Sequence, residues 1–293
     1  MIANSKPNWL SIVAVVIAMM SIQSGAAFAK GLFPIVGSLG TSALRLGFSA
    51  VILCLIWKTW KNKFKSSDLK LVIPYGFSLG AMNLFFYLAI ERVPLGIAVA
   101  LEFSGPLAIA LLSSKNLLHF VWAILAVLGV FLLMPILPTS AGLDPIGVAY
   151  ALLAGFFWAL YIIFGQKAGK LGSAGVVASL GILVAALFVT PIGVVSAGKS
   201  ILSLSIIPLA LLVAVLSSSI PYSLEMLALK NVSARNFGIL MSLEPALGAL
   251  FGFILLSEKL SWVQVSAIFC IVFASLGSSY SSSRQAKSLS PDL

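Results

Sequence analysis

Two carboxylates lie in long apolar stretches of this sequence, each within one helical turn of a proline. Glu102 precedes Pro106 by four residues, and Glu244 directly precedes Pro245. A proline cannot donate a backbone hydrogen bond, so the carbonyl four residues before it loses its helical partner. Each of these turns therefore offers a carboxyl group beside a freed carbonyl, a combination that can hold a proton or pair with an ammonium group.

Other polar and aromatic residues occupy corresponding positions in two similar segments of the sequence. A shift of 139 residues aligns Pro106 with Pro245, and Asn83 with Tyr222. We predict that eight side chains line a shared substrate cavity and that three prolines break helices. The predicted lining residues are Gln23, Asn83, Tyr87, Glu102, Trp158, Tyr161, Tyr222 and Glu244, and the predicted breaks are at Pro106, Pro221 and Pro245.

Each of these residues also has a purely structural interpretation. Aromatic residues at helical spacing commonly pack in the core, and polar ones commonly form hydrogen bonds between helices. Glu102 could be a protonated carboxyl that bonds to a neighbouring helix. Among the candidates it is nevertheless our choice for proton coupling or for amine recognition, since ionisable groups inside a bilayer are costly and therefore usually functional.

Arg45 is the one basic residue placed well inside a predicted span. A long cationic side chain in an apolar helix can extend towards the membrane interface and keep its charge in water. We expect Arg45 to do this and to have a structural role, with a contact to substrate as the alternative.

Composition defines the class of protein that must position these residues. The chain has 293 residues, of which 60% are hydrophobic and 9% are charged, whereas a soluble domain carries about 25% charged residues. The apolar stretches reach the ~20 residues that a helix needs to cross a bilayer. The sequence therefore predicts an all-α integral membrane protein in contact with the lipid bilayer.

Ten spans can be placed along the chain, and they divide into two sets of five. They cover roughly 9–29, 36–57, 71–90, 94–114, 117–137, 145–166, 172–196, 204–229, 233–256 and 260–280. We assign 9–137 to a first repeat, 145–280 to a second, and 281–293 to a flexible cytoplasmic tail. Because five is odd, the second repeat must start on the opposite side of the membrane, so we predict inverted repeats related by a pseudo-two-fold axis.

The basic residues predict the orientation of these spans, since Lys and Arg are concentrated in cytoplasmic loops. With the N-terminus inside, thirteen basic residues fall in cytoplasmic segments and four in outer loops. The four outer residues are Lys30, Arg92, Lys199 and Lys259. Both termini are therefore predicted to be cytoplasmic. This alternation between loops also argues against a nucleic-acid partner, despite the net charge of +10.

Several chemical classes have no support in the sequence. The spacings of a phosphate-binding loop (GVVSAGKS, 193–200) and of a nucleophile elbow (GFSLG, 76–80) do occur. Neither follows the predicted strand that these motifs require, since both lie in or at the end of predicted membrane helices. The single histidine, His119, is placed at a predicted helix start, and Cys54 and Cys270 lie within apolar spans. We predict no metal site and no cofactor, and any uphill transport would then depend on an ion gradient or on exchange.

Several segments resemble the drug/metabolite transporter superfamily, specifically its ten-helix members with two EamA-type domains. The resemblance rests on residues 93–103 (VPLGIAVALEF), 221–226 (PYSLEM) and 241–247 (MSLEPAL), with GAMN at 80–83 and SIQ at 21–23. It implies a secondary active transporter of the bacterial inner membrane, with a central cavity between the repeats. It further implies export of small neutral amino acids such as threonine and homoserine, or related metabolites, by alternating access, with protons as a possible coupling ion.

Two other functions remain as alternatives. An exchanger of a larger metabolite, such as a nucleotide derivative, would need several basic residues facing the cavity. Only Arg45, with Lys30 or Arg235, could serve in that way. An intramembrane enzyme would need a cluster of catalytic groups, and the lone His119 does not supply one.

The topology yields a direct prediction. A cysteine introduced at Lys65 should resist a membrane-impermeant thiol reagent in intact cells, because the 58–70 loop is predicted to be cytoplasmic. A cysteine introduced at Lys199 should react, since that loop is predicted to be periplasmic. Strong labelling at position 65 from outside would overturn the proposed orientation.

Overall fold

A computed structural model of the protein describes residues 9–62, 65–112, 118–133, 143–229, 241 and 243–288. Throughout these ranges the ordered elements are helices, and no strand occurs. Twelve α-helices follow one another in this part of the chain. They are α1 (Trp9–Ala29), α2 (Phe33–Trp57), α3 (Ser66–Ile90), α4 (Leu95–Glu102), α5 (Ser104–Leu112), α6 (Leu118–Leu133), α7 (Pro145–Ala168), α8 (Ala174–Ala197), α9 (Ile207–Ala214), α10 (Ile220–Leu229), α11 (Glu244–Leu256) and α12 (Trp262–Ser288).

Five helical stretches of the described chain are long and apolar enough to cross a membrane. They are Val13–Trp57, Asp68–Ile90, Pro145–Leu171, Ala174–Leu202 and Leu204–Leu224. The first contains both α1 and α2, joined by a short 3-10 turn at Lys30–Leu32. Three shorter apolar helices lie at Leu95–Ala108, Glu244–Leu256 and Trp262–Ala274. The all-helical membrane class is confirmed, and the count of ten spans stays a prediction.

Several boundaries differ from those expected from the sequence, including the start of α3 at Ser66 in place of residue 71. Helix α2 begins at Phe33, with Pro34 in its first turn, and bends at Gly37, where φ is 68°. Glycine adopts such a positive φ readily. The predicted start of the span, residue 36, therefore lies beside the bend and not at the first residue of the helix. Helix α12 continues to Ser288, so residues 281–288 of the predicted flexible tail are helical; residues 289–293 lie outside the described range.

The helices pack in a small number of extensive pairs. The largest contacts join α2 to α8, α3 to α7, α6 to α12, α1 to α10 and α4 to α11. Small residues allow several of these approaches, as is usual inside membranes. A Cβ atom at Gly96 would lie 2.5 Å from Cα of Ala249, and one at Gly25 would lie 2.7 Å from the backbone nitrogen of Ser217.

Regular helix is interrupted at positions linked to the three prolines. Helix α4 ends at Glu102 and α5 begins at Ser104, so the break falls three residues before Pro106. Helix α11 begins at Glu244, with Pro245 in its first turn. Between α9 and α10, residues Val215–Ser219 form a π-helical turn just before Pro221. A wider turn of this kind is rare and occurs frequently at functional sites.

One end of the bundle is held together by polar contacts between distant parts of the chain. Glu258 accepts a hydrogen bond from Nζ of Lys30 at 2.7 Å and another from the backbone nitrogen of Leu95 at 2.8 Å. The carboxylate therefore joins the loop after α11 both to the loop after α1 and to the first turn of α4. Negative charge at a helix N-terminus is favourable because the backbone N–H groups there have no helical partner.

A second ion pair at this end is more exposed. Nη1 of Arg92 lies 2.8 Å from Oδ2 of Asp144, with side-chain exposures of 40% and 31%. Asp144 also caps α7, since Oδ1 accepts a hydrogen bond from the nitrogen of Ile146. The hydrogen bond from Arg92 and then that from Ile146 hold the pKa of Asp144 below its ordinary value. The pair is therefore ionised at neutral pH.

We expect Glu258→Ala to destabilise the protein by ~1–3 kcal/mol, because it leaves a partly buried ammonium and a helix N–H without their partner. Arg92→Gln is the matched control, since it removes an exposed pair and keeps the α7 cap, and it should cost ~0–1 kcal/mol. Unfolding of both variants in detergent micelles measures the difference. Equal stability of the two variants would contradict the assigned role of Glu258.

Candidate functional site

Glu102 occupies the end of α4, where the helix breaks, and is 7% exposed. Its carbonyl, which Pro106 cannot bond, faces Gly155 of α7. A Cβ atom on Gly155 would lie 2.5 Å from that oxygen, and Gly105 also touches the backbone of Gly155. The break is therefore seated directly on the backbone of α7, with no side chain between them.

The aromatic ring of Trp158 covers the same break. It meets Phe103, the residue between α4 and α5, in an edge-to-face contact with ring centroids 5.7 Å apart. This arrangement is the favoured geometry for an aromatic pair. Trp158 of α7 thus contacts the residue that follows Glu102 in the chain.

The second carboxylate lies at the start of α11 and contacts α1. Glu244 is 5% exposed, and its Oε1 accepts a long hydrogen bond of 3.4 Å from Nε2 of Gln23. Gln23 is itself 1% exposed, and its own Oε1 has no hydrogen-bond partner among the described residues. The two predicted lining residues therefore meet across a distance of 221 positions in the sequence.

The charged groups of the interior form one electrostatic cluster. Glu102 is close enough to both Glu244 and Arg45 to interact with each. Neither carboxylate forms an ion pair with Arg45, since both ion pairs of the described chain lie at the end of the bundle. Glu102 is thus within electrostatic range of both Glu244 and Arg45, without an ion pair to Arg45.

The expectation that Arg45 extends towards the membrane interface is wrong. The side chain is only 4% exposed and lies inside the bundle. Its Nη2 donates to the carbonyl of Ser217 at 2.6 Å, and its Nε donates to Oγ of Ser218 at 2.9 Å. The carbonyl of Ser217 is the one that Pro221 leaves free, so a freed backbone acceptor draws the guanidinium inward.

Two serines support the same π-helical turn from the first half of the chain. Oγ of Ser21 donates to the carbonyl of Leu216 at 2.6 Å, and Oγ of Ser49 donates to that of Ala214 at 3.0 Å. With no water in the hydrocarbon region, such carbonyls must bond to protein groups. Helices α1 and α2 therefore hold this irregular turn in place.

Tyr87 belongs to the Arg45 side of the cluster. The side chain is fully buried, and Cζ of Arg45 lies 5.1 Å from the centroid of its ring, within cation–π range. The hydroxyl group has no hydrogen-bond partner in the described part of the chain. The phenol therefore presents both a ring face and an unsatisfied polar atom to this region.

Three predicted lining residues have other surroundings. Nδ2 of Asn83 donates to the carbonyl of Leu79 at 2.8 Å, within its own helix. Tyr161 stacks on Tyr75 with centroids 5.2 Å apart. Tyr222 is 6% exposed and packs in a second apolar cluster formed mainly by α2, α3 and α8.

The EamA-like transporter family matches residues 145–280. The threonine/homoserine exporter RhtA of Salmonella typhimurium is 50% identical over 279 residues, 95% of this chain and 94% of the relative. The protein of the same name from Escherichia coli is 49% identical over 281 residues, 96% of this chain and 95% of that one.

The chain belongs to the EamA-like transporter family. A crystal structure that is 17% identical to it superposes with a TM-score of 0.61 over 93% of this chain and 98% of the other, which supports the fold alone. Family membership and the apolar helices make the protein a multi-pass transporter of the bacterial inner membrane. Its relatives are transporters, which points away from an enzyme.

A large groove of this EamA-like transporter lies away from the charged cluster. It has a volume of about 520 Å³ and lies between α2 and α8, with a lining that includes Val51, Leu55, Trp60 and Leu187. Most of its lining is apolar, so it offers a zwitterion few hydrogen bonds. We therefore place the candidate substrate site at the charged cluster instead.

Two sequence signals could have placed Arg45 in the interior. Ser38, Ser42, Arg45 and Ser49 follow helical spacing and form one polar stripe along α2. The serine run 217–219 precedes Pro221 by one turn, which marks a place where backbone acceptors become free. Together these features indicate a polar contact between the two halves.

The close contact between the backbone of Glu102 and Gly155 of α7 yields a prediction. We expect Gly155→Ala to reduce transport and to destabilise the protein by ~1–3 kcal/mol, because the added methyl collides with the backbone of Glu102. Gly169→Ala at the end of the same helix is the control. Nothing lies within 4 Å of its Cβ position and its φ is −59°, so transport and stability should be retained. Equal transport and equal stability of the two variants would contradict the close contact between the helix break and α7.

Proposed function

We propose that the protein is a secondary active transporter that exports small neutral amino acids, threonine- and homoserine-like, or related metabolites, by alternating access. The observation that carries the substrate class is the near full-length similarity to exporters named for threonine and homoserine. The charged cluster at the helix breaks is compatible with such a substrate, since an amino acid carries both an ammonium and a carboxylate group.

The proposed architecture is ten helices in two inverted repeats, with both termini cytoplasmic. The helix pairs support it. If α4 with α5 is the fourth span and α9 with α10 the eighth, the contacts of α2 with α8, of α6 with α12 and of α4 with α11 each join equivalent spans. The contact of α3 with α7 is equivalent to that of α10 with α1. A two-fold exchange of the repeats thus preserves the whole pattern, and the family match at residues 145–280 agrees with the proposed second repeat.

In this topology the contacts of Glu258 and Asp144 lie at the periplasmic end. Lys30–Glu258 and Arg92–Asp144 each join the first repeat to the second. They would therefore close the periplasmic side and would have to open for release of substrate. Alternating access requires such a gate on each side of a central site.

The exchanger of a larger anionic metabolite is less well supported. A nucleotide derivative carries several negative charges and would need several cations in the membrane interior. Within the described spans, Arg45 is the basic residue buried near the two acids. One cation against two carboxylates suits a zwitterion better than a polyanion.

Glu102 is the proposed coupling or amine-recognition residue, and Gln23, Asn83, Tyr87, Trp158, Tyr161, Tyr222 and Glu244 remain the proposed lining of the cavity. A carboxyl group at a mid-membrane helix break can exchange a proton with substrate or pair with its ammonium group. The buried position of Glu102 next to Glu244 supports these roles.

Uptake of labelled threonine into inside-out membrane vesicles tests the proposal. Wild-type vesicles should take up threonine saturably, and homoserine should compete. Glu102→Gln removes the titration and keeps the volume, so it should reduce proton-driven uptake roughly tenfold or more, equivalent to ~1.4 kcal/mol. If the variant still exchanges labelled for unlabelled threonine across the membrane, Glu102 couples protons. If this substrate exchange also fails, Glu102 recognises the amine.

Glu91→Gln is the control, since that acid lies beyond the end of α3, away from the charged cluster. Glutamine also keeps an acceptor for the hydrogen bond that Oγ of Ser38 donates to Glu91. Its uptake should match the wild type. Folded wild-type protein that transports neither threonine nor homoserine would contradict the proposed function. A Glu102→Gln variant with normal proton-driven uptake would limit Glu102 to a structural role.

A further inference from the structure

Arg45 uses only part of its hydrogen-bonding capacity. A guanidinium has five N–H groups, and in the described chain Arg45 donates two of them, one from Nε and one from Nη2. Both acceptors, the carbonyl of Ser217 and the hydroxyl of Ser218, are uncharged. The side chain is therefore anchored and retains three donors.

The anchored groups define which edge of the guanidinium remains available. Nε–H and the neighbouring Nη2–H point along one edge, and the two serines occupy it. The opposite edge, formed by Nη1 and the outer Nη2–H, has no hydrogen-bond acceptor among the described residues. Two parallel N–H groups of this kind match the two oxygens of a carboxylate.

Among the described residues, no direct contact neutralises the charge of Arg45. A buried cation is costly unless it is paired and hydrogen-bonded. Both described ion pairs lie at the periplasmic end of the proposed topology, and Glu102 interacts with Arg45 only at longer range. The site therefore favours an anionic partner, which the described part of the chain does not provide.

Unsatisfied polar atoms lie on the same side of α2 and under the guanidinium. Oγ of Ser42, three residues before Arg45, is buried without a hydrogen-bond partner in the described chain. The hydroxyl of Tyr87, whose ring lies beneath Arg45, is likewise buried and unpartnered there. Buried polar atoms are rarely left unpaired, so these two atoms independently point to a polar ligand.

We propose that Arg45 binds the carboxylate of the transported amino acid through its Nη1–Nη2 edge, with the hydroxyls of Ser42 and Tyr87 as further polar contacts. The ammonium group is then directed to the acids at the helix breaks, Glu102 and Glu244. This inference rests on the proposed function and assigns the opposite pole of the same substrate.

The assignment makes Arg45 a determinant of specificity. A free α-carboxylate becomes obligatory, so an amino-acid ester or an amino alcohol that keeps the amine and the side chain should bind poorly. A site that pairs a charged group discriminates strongly against a ligand lacking its partner, because the buried group is then left uncompensated. The serine contacts fix the guanidinium before substrate arrives, which lowers the ordering cost of binding.

Binding of threonine and of threonine methyl ester to the purified full-length protein in detergent tests this assignment. Calorimetry on the wild type should give a Kd for threonine at least about tenfold lower than that for the ester, a factor worth about 1.4 kcal/mol. In Arg45→Gln, the affinity for threonine should fall to the level of the affinity for the ester, and the affinity for the ester should change little. Arg45→Lys should fall between the two, since it keeps the charge and loses the bidentate edge.

Ser49→Ala is the matched control, because Ser49 lies on the same face of α2 and contacts Ala214, the residue just before the same π-helical turn. It should preserve the preference for threonine over the ester, whatever its effect on stability. A preference that persists in Arg45→Gln, with both ligands weakened equally, would assign Arg45 a structural role and overturn the inference. Equal affinity of the wild type for both ligands would overturn it without any variant.

The outcomes separate this inference from the function on which it rests. Wild-type protein that binds threonine but does not distinguish the ester contradicts only the role of Arg45. Wild-type protein that binds neither threonine nor homoserine contradicts the proposed function and this inference together.

Discussion

The lack of water in the hydrocarbon core governs the interior of this protein. Each backbone carbonyl released at a helix break must find a partner within the protein. The π-helical turn Val215–Ser219 is contacted by Ser21 and Arg45 of the first half of the chain, and Ser49 contacts Ala214 just before it. Conversely, the carbonyl of Glu102 rests against Gly155 in the second half. The two halves are therefore bound to each other at the places where their helices break.

The same constraint concentrates ionisable groups at the breaks. Glu102 ends α4, Glu244 begins α11, and Arg45 contacts the π-helical turn. A regular helix satisfies its own backbone and needs no such groups, whereas a broken one must be bonded by side chains from other helices. Polar contacts that hold the breaks can thus also be contacts for a polar substrate, and any movement of one half would change both at once.

Prolines mark candidate helix breaks in a sequence, because a proline removes one N–H wherever it occurs. Helix α4 ends at Glu102, four residues before Pro106. The side chains that contact such a break cannot be found in the same way. The inward direction of Arg45 could not be read from hydropathy, because it depends on an acceptor 172 positions away. The contact between Lys30 and Glu258 is equally remote, spanning 228 positions. Asn83, Tyr161 and Tyr222 share the predicted depth, but depth does not specify which neighbour a side chain faces.

We propose that an amino acid is held at the helix breaks, between the two acids and Arg45. A structure determined by electron cryo-microscopy with saturating threonine tests this placement most directly. We expect density for one threonine, with its carboxylate at Arg45 and its ammonium group at Glu102 or Glu244. Threonine density in the apolar groove between α2 and α8 instead, with the charged cluster unchanged, would contradict it.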